Sequence, residues 1–96
     1  MAGNSTALHS AAQNGHVKCV VALLQAGANK EAATKDGHTP LHKAAKFGYV
    51  EAVRALLEAG ANKEAADKDG RTALDIARAN RKEGVVALLQ TWQNSR

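Results

Sequence analysis

Four histidines, one cysteine and three serines are the side chains of this 96-residue chain from which chemistry would start. His38 and His42 are four apart, a spacing that holds zinc when both lie on one helical face. Thr39 sits between them as the N-cap expected of a helix beginning at Pro40, so His38 falls before the helix and that geometry fails. No second pair of ligands accompanies them. A hydrolytic centre needs a nucleophile, a base and an orienting group together. Ser5, Ser10 and Ser95 have no such constellation, and Ser10 and its neighbour His9 diverge in direction on a helix. Neither a phosphate-binding glycine loop nor a paired-carboxylate pattern is present. Cys19 lies in the apolar run Val17-Lys18-Cys19-Val20-Val21, where a buried, inert thiol is expected. No catalysis, metal or cofactor is expected.

The elements that position these residues follow from composition and repetition. One domain spanning residues 1–96 is expected from the length. Phe47, Tyr49 and Trp92 are the three aromatic side chains, and alanine and leucine dominate, which favours close-packed helices. The formal net charge is +4, enough for solubility and compatible with an acidic partner. A single cysteine excludes an internal disulfide and suits a reducing compartment. The start, Met1-Ala2-Gly3-Asn4-Ser5, lacks a basic segment followed by an apolar one, so no secretory signal is read there, and Met1 to Asn4 reads as either an added remnant or a frayed end. No stretch is long enough to cross a bilayer, so the expected setting is intracellular, cytoplasmic or nuclear.

Leu8, Leu41 and Leu74 are 33 residues apart, as are Ala11, Ala44 and Ala77, and Val20, Val53 and Val86. Segments 8–33 and 41–66 agree at 18 of 26 positions. Repetition on that period defines stacked supersecondary units. In unit two the first helix starts at Thr39-Pro40, where the threonine hydroxyl caps and the proline has no amide hydrogen to leave unpaired. Gly48 ends it. The second helix runs from about Val50 to Ala59, with Val50, Val53, Leu56 and Leu57 as its buried stripe, and Gly60 stops it. Asp36-Gly37 and Asp69-Gly70 mark tight turns at the tips of protruding two-stranded fingers. The units are assigned as about 5–33, 34–66 and 67–92. Counted from Asp75 to Val85, unit three reads one residue shorter than unit one from His9 to Val20.

The segment Asp36-Gly37-His38-Thr39-Pro40-Leu41-His42-Lys43-Ala44-Ala45-Lys46-Phe47-Gly48 resembles the ankyrin repeat, and Val53, Leu56, Leu57, Gly60 and Ala61 resemble its second half. The resemblance covers about Thr6 to Gln90. It implies an all-α solenoid of stacked antiparallel helix pairs with projecting β-turn fingers, and a non-catalytic module that binds a protein partner. It also implies that His9 and His42 bridge neighbouring backbone and hydroxyl groups. His16, after Gly15, is expected to hydrogen-bond from a loop. Glu31 and Glu64 replace the asparagine that hydroxylases modify in some relatives, so that modification is not carried over. Asp75, Arg78, Arg81 and Lys82 depart from the pattern in unit three as a polar end cap would.

The binding face implied is the concave one, made of fingers and first helices. Gln13, Asn14, Lys35, His38, Lys46, Phe47, Lys68, Arg71 and Asn80 occupy it, a basic strip suited to an acidic protein. Nucleic acid is disfavoured, because Phe47 alone offers an aromatic face for stacking bases. Phe47 is either an interface anchor or packed against a finger or Tyr49. Trp92 either covers the end of the stack or mediates self-association. The chain is expected to be a monomer. Alternatives are end-to-end assembly through the repeat ends, or an engineered or excised minimal stack, suggested by the near identity of units one and two.

Overall fold

Helices shorter than about 12 residues are marginal alone in water, so each must be held by caps and by neighbours. A computed structural model describes residues 6–92, and it shows both devices. Its six helices are α1 (Ala7–Gln13), α2 (Val17–Gln25), α3 (Pro40–Phe47), α4 (Val50–Glu58), α5 (Ala73–Ala79) and α6 (Glu83–Thr91). Thr6, Thr39 and Thr72 cap α1, α3 and α5 with the same capping box: the hydroxyl accepts from the backbone N–H three residues on, and that residue's side chain accepts from the threonine N–H. The expected ends of the unit-two helices agree with this structure. Gly48 closes α3 at φ +76°, and Arg81 adopts φ +58° at the same place after α5.

The first helices α1, α3 and α5 pack side by side, α2, α4 and α6 form a second row, and each pair is joined across the rows. Alanine lets these short helices approach closely. Ala12, Ala44, Ala45, Ala52 and Ala77 have no exposed surface, and neither have Val20, Val53, Leu56 and Val85 of the second row. The stack is an all-α solenoid.

Four sequence expectations change. Cys19 is exposed, not buried. It lies on the side of α2 that faces away from unit two, and its equivalents Ala52 and Val85 are buried because a preceding helix pair covers them. Unit three is not shortened: Lys82, the N-cap of α6, lies 33 residues from Tyr49, the N-cap of α4, and Val85 matches Cys19 and Ala52, not Val20. His16 is the N-cap of α2 without a side-chain capping bond, so its expected loop hydrogen bond is not made. The fingers contain no strand among the described residues. Each is a turn closed by Gly37 N–H to Thr34 O (2.8 Å) or Gly70 N–H to Asp67 O (2.9 Å), with one further backbone bond beside it. Met1–Asn4, Ser5 and Ser95 lie outside the described residues.

Candidate partner-binding face

The finger turns closed at Gly37 and Gly70 lead directly into α3 and α5. The nine residues expected on the binding face fall into four register positions. Gln13 and Lys46 share one; Asn14, Phe47 and Asn80 share the next; Lys35 and Lys68 lie at the finger tips; His38 and Arg71 lead from finger into helix.

The imidazoles of His9 and His42 tie each of their helices to the following finger. His9 Nδ1 accepts from the Thr6 N–H, and its Nε2 is 2.8 Å from the carbonyl oxygen of His38 in the next unit. His42 repeats the arrangement, with Thr39 N–H on Nδ1 and Nε2 at 2.9 Å from Arg71 O. Because Nδ1 accepts, the ring proton is assigned to Nε2, which donates to the carbonyl. Burial pushes both imidazoles below their ordinary pKa and outweighs the opposing carbonyl bonds; the positive charge of Lys43 adds to this at His9, and His38 does so at His42. With both ring nitrogens engaged, His9 has none left to activate Ser10. His38 belongs to the finger and His42 to the first turn of α3, their ring centroids 5.7 Å apart. Among the described residues no group of three or more His, Cys, Asp or Glu is placed to hold a metal.

Sequence reasoning missed the carboxylates. Asp67 has a buried side chain, and its Oδ1 accepts from the N–H of Asp69 and of Arg71, both at 2.9 Å. Its Oδ2 meets His38 Nε2 at 3.2 Å and Arg71 Nε at 3.3 Å. Burial alone would raise the pKa of this carboxyl, but the two backbone amides and the Arg71 guanidinium hold it below the usual value. Arg71 also pairs with Asp69 at 3.2 Å, and Lys68 with Asp36 at 3.3 Å. Asp69 and Asp36 were visible as Asp-Gly turn signals, and the same turns bring their charges onto the row of bases. The finger row is therefore charge-mixed. Among the described residues Lys35 and Lys46 are in no ion pair.

The side chains differ in what they have left to offer. The amides of Asn14 and Asn80 donate back to Ser10 O and Ile76 O at 2.8 Å, extending their own helices. Gln13, Lys35 and Lys46 are exposed. Phe47 is 43% exposed and outside the core cluster, with Lys46 Nζ 5.4 Å from its ring centroid. Tyr49, 38% exposed, lays its ring against Gly15 of unit one, where a Cβ would stand 2.8 Å from it.

A family model of ankyrin repeats in three copies matches residues 8–95. The chain belongs to the ankyrin-repeat family. Ankyrin repeats are a general protein-interaction module and typically carry no catalysis. Cortactin-binding protein 2 of Rattus norvegicus is 57% identical to this ankyrin chain over 35 residues, which are 36% of the chain and 2% of that protein. No helix among the described residues is long and apolar enough to cross a membrane.

Proposed function

We propose that this chain is a single, non-catalytic ankyrin domain that holds a protein partner on the face formed by its fingers and first helices. Phe47 carries the reading: a large apolar ring left 43% exposed beside the unpaired cation Lys46. Aromatic side chains of this kind anchor interfaces once a partner excludes water from them. Lys35 and Lys46 add uncompensated positive charge, which favours a partner with an acidic rim and speeds its association. Gln13, Asn14, His38, Lys68, Arg71 and Asn80 complete the surface, with His38, Lys68 and Arg71 held in place by Asp67 and Asp36. The domain acts as a monomer inside the cell, in cytoplasm or nucleus.

The test is capture of partners by immobilised chain, followed by titration of each captured protein. Cortactin serves as one defined probe, because the partly matching relative is named for binding it. The expected result is a partner whose affinity falls at least about tenfold with Phe47→Ala and less with Lys46→Ala, while Val21→Ser on α2 leaves it unchanged. Equal affinities for wild type and Phe47→Ala across every partner found would refute the mapping.

A further inference from the structure

The charged side chains are divided unevenly between the two ends of the helix pairs. At one end the finger segments 26–38 and 59–71 carry five lysines and arginines and five aspartates and glutamates, so each base is matched by an acid. Lys68 and Arg71 are already paired there, with Asp36, Asp67 and Asp69. At the other end each first helix passes into its second, across segments 12–18, 45–51 and 78–84 of the same 33-residue register. Lys18, Lys46, Arg78, Arg81 and Lys82 stand there against Glu51 and Glu83. Among the described residues none of these five cations is in an ion pair. Most of the net charge of +4 therefore lies at the loop end, about 10 Å along α3 from the finger.

Exposed aromatic surface lies at the same end. Phe47 is the last residue of α3, Tyr49 is the N-cap of α4, and Gly48 alone separates these two exposed rings. Cations adjoin both. Lys46 Nζ is 5.4 Å from the Phe47 ring centroid. The stem of Lys82 lies on Gly48, where a Cβ would stand 2.7 Å from Lys82 Cδ. Arg81 stands beside Lys82 in the left-handed conformation, φ +58°, at the place of Gly15 and Gly48 in the earlier units. That backbone disfavours arginine, so unit three holds a second exposed cation here against local strain.

We propose that the loop end binds a short acidic segment of a protein partner, with an apolar side chain laid across Phe47 and Tyr49 between carboxylates that meet Lys46 and the Arg81–Lys82 pair. The proposal rests on the reading of Phe47 as an anchor, and it places the charge that selects the partner at the loops instead of the neutral fingers. Arg81 can hold a carboxylate with two parallel N–H donors, and Lys46 and Lys82 act as point charges. A lipid surface fits less well, because the Tyr49 ring lies along Gly15 instead of standing out toward a headgroup layer. A nucleic-acid strand also fits less well. Glu51 and Glu83, in the first turns of α4 and α6, deny a phosphodiester backbone an unbroken row of cations.

The test pans random peptides displayed on phage against the immobilised chain and measures the enriched peptides by fluorescence anisotropy. Acidic residues flanking an apolar or aromatic one should be enriched, and added salt should weaken their binding. Phe47→Ala should lower affinity about tenfold, and Arg81→Gly and Lys82→Met about threefold each. Lys82→Met keeps a stem over Gly48. Arg81→Gly separates binding from folding, since it relieves the left-handed strain and should raise Tm while affinity falls. Lys35→Met and Lys68→Met at the fingers should leave affinity unchanged. Enriched peptides without acidic residues, or no enrichment over a blank surface, overturn the proposal. So does dependence on the finger lysines with none on Arg81 and Lys82, which would leave the Phe47 anchor standing; peptides indifferent to Phe47→Ala would remove both. Tighter binding to phosphatidylserine vesicles or to an oligouridylate than to the peptides, lost with the same variants, would make a membrane or a nucleic acid the occupant and overturn it equally.

Discussion

His42 of unit two donates from Nε2 to the main-chain carbonyl of Arg71 in unit three, at 2.9 Å, and His9 does the same to His38 one unit earlier. Each imidazole is thus a rivet between repeats, and it works in the neutral form, since Nδ1 must accept from the preceding threonine N–H. The folded chain lowers both pKa values below 6.5, chiefly by burial, whereas the unfolded chain does not. The unfolded state then binds more protons as pH falls, so this stability is complete above pH 6.5 and is lost as pH drops through the lowered values. Urea midpoints are expected to be lower at about pH 5.5 than at about pH 7.5. The double variant His9→Gln/His42→Gln should be less stable at the higher pH and show a flatter dependence. Asp67, with a lowered pKa, adds a second loss that sets in at still lower pH, below its ordinary 3.8.

Gly37 and Gly70 have nearly the same backbone, φ +82° and +79°, yet different surroundings. A Cβ on Gly37 would stand 2.7 Å from Lys68 N and 3.0 Å from Asp67 Cα, while nothing lies within 4 Å of one on Gly70. Gly70→Ala should cost about 1 kcal/mol from backbone conformation alone. Gly37→Ala should cost about 2 kcal/mol or more, because finger one must move off finger two. Equal losses in chemical denaturation would mean that the fingers are not in contact.

Arg81 holds a left-handed conformation at φ +58° where unit two uses Gly48. Arg81→Gly relieves that strain and is expected to stabilise the chain by about 1 kcal/mol, a rise of roughly 4–8 °C in Tm. Thermal unfolding by circular dichroism checks it.

Lys63 reaches across to the end of α6, donating from Nζ to Leu89 O at 3.2 Å and to Trp92 O. A cation at a helix C-terminus satisfies carbonyls that have no partner within the helix. Lys63→Met should cost about 1 kcal/mol and shift the fluorescence of the half-buried Trp92 to the red.

Phe47→Ala should change stability by less than about 0.5 kcal/mol, since the ring is outside the core. Leu56→Ala, at a residue with no exposed surface, should cost about 2–5 kcal/mol. A comparable loss in both would place Phe47 in the core.

Much of the fold was written locally. Thr39-Pro40 and Gly48 mark where α3 begins and ends because capping acts within one helical turn, and the 33-residue period repeats those marks in register. The roles of His9 and His42 were legible through the resemblance, since each occupies the same place in its capping box. The finger strands failed because two residues of extended chain on either side of a turn do not make a ladder.

The sequence by itself determined the repeat, the helix boundaries and the candidate residues of the face, because caps, turns and hydrophobic periods are properties of neighbours along the chain. The tertiary structure decided what those residues have left to offer. Asp67 meets His38 because the fingers of adjacent units lie side by side, and Cys19 is exposed although it sits in an apolar run, because no described unit covers its side of α2. Burial and charge pairing depend on which unit stands next in the stack, and that is a relation in space between residues far apart in the chain.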